Sequence, residues 1–151
     1  LLVLFSSVVG CSRSPSYKGY VPVTQEEATA FAEQLVERTS QGDTSWRLEI
    51  AVDIDATAAV YSIAGIDIPI FCRNPSEQDR IEWKAMSEEW NKRAQQDLQE
   101  IRMKEIKEMG NTYIAVFDFV RKSGKTSENY ITLLKKSDTG EIVMAGLGIK
   151  W

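Results

Sequence analysis

From Thr112 onward, apolar and polar residues alternate in three runs, Thr112–Lys122, Thr126–Lys136 and Glu141–Trp151, rich in Val, Ile, Tyr, Phe and Thr. The breaks between them, Ser123-Gly124-Lys125 and Ser137-Asp138-Thr139-Gly140, each set a glycine among polar residues. That combination predicts antiparallel hairpins. In the first run Tyr113, Ala115, Phe117 and Phe119 share one face, and Ile114, Val116, Asp118 and Val120 share the other. In the last run Gly146 and Gly148 fall on one face, which lets a sheet bend or admit a helix or ligand. Both faces are more apolar than a half-solvated sheet requires. The expectation is a curved sheet with helices on one side and something else against the other.

The period changes upstream. Ala28, Phe31, Ala32, Leu35 and Val36 recur at helical spacing behind Thr24 and Glu27, which have the spacing of a capping box. Val23 can staple against Ala28, and Gly42 suits the position after the helix end. A second, shorter helix is expected over Thr44–Val52, capped by Asp43, with Trp46 and Ile50 one turn apart. A third, Ala56–Ile63, would be capped by Asp55 and ended by Gly65. Ile66–Arg73 reads as a loop or short extended segment. Asn74-Pro75-Ser76-Glu77 reads as an N-cap Asn followed by Pro, starting a helix that runs to about Asp97. Its apolar seam, Trp83, Met86, Trp90 and Ala94, is expected to lie on the sheet. Glu88 with Lys92 and Glu89 with Arg93 are spaced as i, i+4 pairs on its outer side. Gln99–Glu108 can be read as helix or strand; the alternation of Ile101, Arg102, Met103 and Lys104, before Gly110-Asn111, favours a strand hairpinned into Thr112. The predicted fold class is α+β, with N-terminal helices packed on a curved C-terminal antiparallel sheet.

Charge narrows the function more than the fold. The net charge is −4 with no block of one sign, which argues against a nucleic-acid partner. The chain has no histidine, so most zinc sites, triads and proton shuttles are unsupported. No metal or other cofactor is expected.

The residues before the first helix concern placement. Leu1–Gly10 is uncharged and apolar or small, too short to span a bilayer and suited to the remnant of a signal peptide that has lost its start. Its end, Val8-Val9-Gly10-Cys11, resembles the lipobox of bacterial lipoproteins. The resemblance implies that Cys11 is acylated and anchors the protein. Ser12 to Val23, rich in Ser, Pro and Gly, would be the tether to a single domain over residues 24–151. Ser12 rather than Asp after the cysteine implies the outer membrane, facing the periplasm, in a Gram-negative host.

The order of elements, with Gly42-Asp43 after the first helix and Lys150-Trp151 closing the last strand, resembles small bacterial lipoproteins of unknown function that carry a nuclear-transport-factor-2-like (cystatin-like) α+β cone. Enzymatic members place His or Asp pairs in the cone. The matching candidate here is Asp118, with a hydroxyl from Tyr61, Tyr113 or Tyr130, as in steroid-isomerase-like members. The competing reading pairs Asp118 with Lys125 or Lys135 on an exposed face, and that reading is preferred. Cys72 is expected to be buried and inert. Trp46, Trp83, Trp90 and Trp151 are expected mainly in the core, with Trp83 and Trp90 also candidates for a pocket or interface. Arg121, Lys122 and Lys125 read as a solvated hairpin tip. The function these features favour is a lipid-anchored, non-catalytic binding module with an envelope protein as partner. The alternative is a small-molecule-binding or isomerase-like cone.

Overall fold

The computed structural model of the chain describes residues 16–51 and 53–147. Leu1–Gly10, Cys11 and the expected strand end from Gly148 to Trp151 lie outside the described residues. In chain order come β1 (Tyr20–Val21), α1 (Gln25–Ser40), a 3-10 helix (Ser45–Glu49), α2 (Ile54–Ala64), the one-turn α3 (Ile70–Arg73), α4 (Glu77–Asp97), β2 (Leu98–Met109), β3 (Thr112–Arg121), β4 (Thr126–Lys136) and β5 (Ile142–Leu147). The strands form one antiparallel sheet in the order β1-β4-β3-β2, with β5 also paired to β4. The fold is α+β, its sheet curled into a half-barrel. Gln99–Glu108 is indeed strand, hairpinned through Gly110-Asn111 into β3.

The two faces of β3 divide the core. Ala115, Phe117 and Phe119 pack with Ala28, Ala32 and Leu35 of α1 and with Trp46 and Ile50. Ile114 and Val116 pack with Ala56, Ala59, Val60 and Ile63 of α2. Helices therefore cover both faces, where the sequence suggested helices on one. The reason is the composition of α2: buried Ala58, Ala59 and Val60 in succession leave it apolar nearly all round, so it needs cover on more than one side. Each fully buried large side chain here, Phe117 or Ile114 for example, contributes about 1.5–3 kcal/mol.

The caps are partly as expected. Thr24 Oγ1 accepts from the Glu27 N–H and the Glu27 carboxylate accepts from the Thr24 N–H, a complete capping box. At the other end Gly42 has φ +84, and the Gly42 and Asp43 amides donate to the Thr39 and Arg38 carbonyls. The second helix is a 3-10 helix, with Asp43 accepting from the Ser45 N–H. Three expectations need correction. Asp53, not Asp55, caps α2, because starting the helix at Ile54 buries that side chain beside Ala58 and Cys72. Ser76, not Asn74, caps α4, because Asp79 completes a capping box with it. Within Ile66–Arg73, residues Ile70–Arg73 form a helical turn.

The end of the expected tether belongs to the fold: Tyr20 and Val21 pair with Lys136 and Lys135, and Val23 is buried. Asp55 holds this entry segment in place, with Lys18 Nζ at 2.8 Å and Arg80 Nη1 at 3.0 Å.

The largest correction concerns α4. Trp90 is 73% exposed and Met86 55% exposed, so the Trp83–Met86–Trp90 seam is not packed on the sheet. The helix instead turns Ser87, Asn91, Ala94 and Gln95 inward, towards the 3-10 helix, with Gln95 donating to Thr44 Oγ1 at 2.9 Å. The small and polar side packs because α4 runs straight into β2 at Leu98, which sets the rotation of its last turns.

Candidate functional site

The sequence-derived candidates do not form one site. Asp118 is about one-third exposed and faces Lys104 Nζ at 3.8 Å across the β2–β3 ladder. Lys104 also meets Glu128 at 2.6 Å, and the Tyr130 hydroxyl donates to the same carboxylate. That bond raises the Tyr130 pKa. The lysine opposite Asp118 is therefore Lys104, not Lys125 or Lys135; Lys135 pairs with Glu27 at 2.9 Å. A bulge between Met103 and Glu105 accompanies the turn of Lys104 to this face. Tyr113 lies on the opposite face of β3 from Asp118 and contributes to the α1 side of the core. Tyr61 is half-buried on α2, and burial raises its pKa.

Cys72 is fully buried against Ile54, Ala58 and Trp83, and burial also raises its pKa. A thiol held neutral in this way is a poor nucleophile. The tryptophans differ from one another. Trp46 is fully buried and donates through Nε1 to Thr39 Oγ1 at 2.9 Å. Trp83 is half-buried and stacks on Phe71, centroids 5.0 Å apart. Trp90 is on the surface, and Trp151 is outside the described residues.

A residue the sequence reading passed over stands out. Arg47 is only 7% exposed, and its Nε and Nη1 are buried with no hydrogen-bond partner. Its guanidinium carbon lies 5.5 Å from the centroid of the Phe119 ring. Burial pushes its pKa down to about 10, so it remains cationic at neutral pH. Burying a charge without a counter-ion is costly, and it is rare unless something pairs with it.

Local structure explains the missing partner. In the 3-10 helix the turn is three residues, so Arg47 shares a side with buried Ile50 while Leu48 is 52% exposed. The nearest acid in that helix, Glu49, is taken by Arg38, whose Nη2 reaches it at 2.9 Å and whose Nε holds Asp43 at 2.8 Å. Read as an α-helix, the segment puts Trp46 and Ile50 on one side and leaves Arg47 unremarked. The available signal was a basic residue directly beside an apolar pair in a very short helix.

Arg47 lines a cleft of about 330 Å³ between the second half of α4 and the Phe119 end of the sheet. Trp90 and Arg93 line it from α4, Leu98 from the start of β2, and Phe119 and Arg121 from β3. Ser127 and Asn129 of β4 complete that sheet face, registered opposite Phe119 and Phe117. Arg121 faces Asp97 at 3.8 Å and Arg93 pairs with Glu89 at 2.9 Å. Arg47 alone among these cations lacks a carboxylate among the described residues. The cleft lies on the α1 side of the sheet, the face opposite Asp118 and Tyr130.

Comparison with known proteins identifies no relative. No protein-family model, characterised protein or solved structure matches the chain. The described residues include no group of three His, Cys, Asp or Glu side chains placed to hold a metal ion. No helix among them is long and apolar enough to cross a membrane.

Proposed function

We propose that this protein is a non-catalytic binding module of the cell envelope, held at the outer membrane by lipid on Cys11 and facing the periplasm. The observation that carries the binding role is the outward side of α4. Trp90 and Met86 lie about one turn apart on it, 73% and 55% exposed, beside a cleft that already contains an unpaired buried cation. Large aromatic residues beside a desolvated pocket are the usual anchors of an interface. An envelope protein docking over α4 would cover both. The anchoring half of the proposal rests on Val8-Val9-Gly10-Cys11. The α+β fold with α1 on a curled sheet supports a cone of the nuclear-transport-factor-2-like kind, and α2 on the opposite face is a departure from helices gathered on one side.

The isomerase-like alternative has less support. It needs Asp118 in a closed apolar pocket with a tyrosine hydroxyl. Asp118 is instead part-exposed opposite Lys104, and the Tyr130 hydroxyl bonds to Glu128.

Two measurements test the proposal. A photo-crosslinking residue at position 90, compared with one at position 118, should capture a discrete envelope protein from native membranes only at position 90. Equal or absent capture at both would remove the docking role of α4. Metabolic labelling with a fatty acid should mark the wild type and not Cys11→Ser; label persisting in the variant would remove the lipid anchor.

A further inference from the structure

We infer that the cleft beneath Trp90 binds a carboxylate, with Arg47 as its buried partner and the acid's apolar body lying between Phe119 and Trp90. The inference goes beyond a docking face on α4, since it names the chemistry the cleft takes and holds whether or not a protein covers Trp90. Three observations lead to it. Arg47 is more than nine-tenths buried, lines the cleft, and leaves Nε and Nη1 without acceptors. A guanidinium presents two bidentate edges to a carboxylate, Nε with Nη2 and Nη1 with Nη2, and on Arg47 each edge carries one donor that lacks an acceptor. The surrounding acids are committed elsewhere: Glu49 to Arg38, Asp97 to Arg121, and Glu89 to Arg93.

Charge and lining select the class. Arg93 and Arg121 each face a carboxylate and Arg47 faces none, so the cleft holds one uncompensated positive charge. A monoanion balances it. A phosphate dianion would bring a second charge into a cleft walled by Leu98, Phe119 and Ala94, with the Asp97 carboxylate also in its lining. The volume, about 330 Å³, is at the small end of ligand sites, suited to one carboxylate on one apolar group. Such a group is supplied equally by a free aryl or alkyl acid and by the terminal carboxylate of a peptide ending in an apolar residue.

Calorimetric titration of the folded protein tests this with four probes: 3-phenylpropionate, its methyl ester, acetyl-Gly-Phe with a free C-terminus, and inorganic phosphate. Saturable binding of the acids, with none of the ester, is expected. The tighter of the two acids then identifies the source, a free acid or a chain terminus. Arg47→Met should weaken binding by roughly 10–100-fold, the loss of a charge-assisted pair. Ala94→Leu, which narrows the α4 wall without touching the guanidinium, should weaken it as well. Ester binding as tight as the acid, phosphate binding tighter than either acid, no binding of either acid, or full affinity in Arg47→Met would each overturn the inference. Crosslinking at position 90 would be unaffected by any of these failures, so the docking proposal stands or falls separately.

Discussion

The guanidinium of Arg47 lies over the ring of Phe119, 5.5 Å from its centroid, and that ring is its best contact in an otherwise unpaired setting. A cation–π contact offsets about 1–2 kcal/mol, less than the cost of burying the charge. Arg47→Met should therefore raise stability by about 1–3 kcal/mol in chemical denaturation, since it removes unsatisfied donors and keeps the apolar stem. The pH dependence has a definite sign. The folded state holds the Arg47 pKa down at about 10, below its ordinary value. Below that pH both states are protonated and the penalty is complete; as pH rises above about 10 the folded state loses the proton first and the penalty shrinks. The advantage of Arg47→Met should thus be constant at neutral pH and narrow at strongly alkaline pH. A destabilised variant would mean that the guanidinium is satisfied by a group not seen here.

Trp46 and Trp90 should respond oppositely to truncation. Trp46 is fully buried, edge-on to Phe119 at 6.0 Å, so Trp46→Ala should cost about 3–5 kcal/mol. Trp90→Ala should leave the thermal midpoint nearly unchanged, within about 0.5 kcal/mol, as surface substitutions do. A large loss on Trp90→Ala would put the Trp90 side of α4, and not only its Asn91 side, against the body of the protein.

Gly110 is the least replaceable glycine in the described chain. It has φ +55, and a Cβ there would come within 1.9 Å of the Ala64 carbonyl oxygen at the end of α2. Asn111 Nδ2 donates to the Ile63 carbonyl beside it, at 3.2 Å. Gly110→Ala should force the β2–β3 turn off α2 and cost more than about 3 kcal/mol, whereas Gly124→Ala, with open space around it, should cost about 1 kcal/mol from its backbone angle alone. Equal losses in denaturant melts would mean that the turn does not rest on the helix.

Glu27 joins two elements, accepting from the Thr24 N–H and pairing with Lys135 of β4. These bonds hold its pKa below the ordinary carboxylate value, the Thr24 backbone first and Lys135 second. A lowered acid contributes stability above its unfolded pKa and loses it as pH falls through the folded one. Glu27→Gln should therefore cost up to about 1 kcal/mol at neutral pH, and the gap should close in acid; Thr24→Ala should cost about 0.5–2 kcal/mol at all pH values. A gap for Glu27→Gln that persists below pH 3 would assign its effect to shape and not charge.

Much of the fold was legible because short-range chemistry agreed with long-range packing. The hairpins at Gly110, Gly124 and Gly140 all use glycines at positive φ between strands of alternating pattern. Thr24 and Glu27 signalled α1 for the same reason. Misreadings arose where two neighbouring residues could do one job. Asp53 and Asp55, or Asn74 and Ser76, are equally good caps in isolation, and burial of Ile54 and the reach of Asp79 decide between them. Of the cleft, only Trp90 was legible, as one candidate for a pocket or interface. Trp90 has the type and spacing of a core residue, and only the rotation imposed where α4 enters β2 turns it outward. Arg47 is invisible for a related reason: its burial depends on a three-residue turn that the sequence does not distinguish from a helical one.

Strand β2 ends the sheet and, among the described residues, pairs only with β3. Glu100, Arg102, Lys104, Glu105, Lys107 and Glu108 are spread along it, all of them exposed. An approaching strand would have to strip water from these charges before its backbone could bond. The β2 rim is thus closed to extension by the charges it carries and not by another strand of the described chain laid over it.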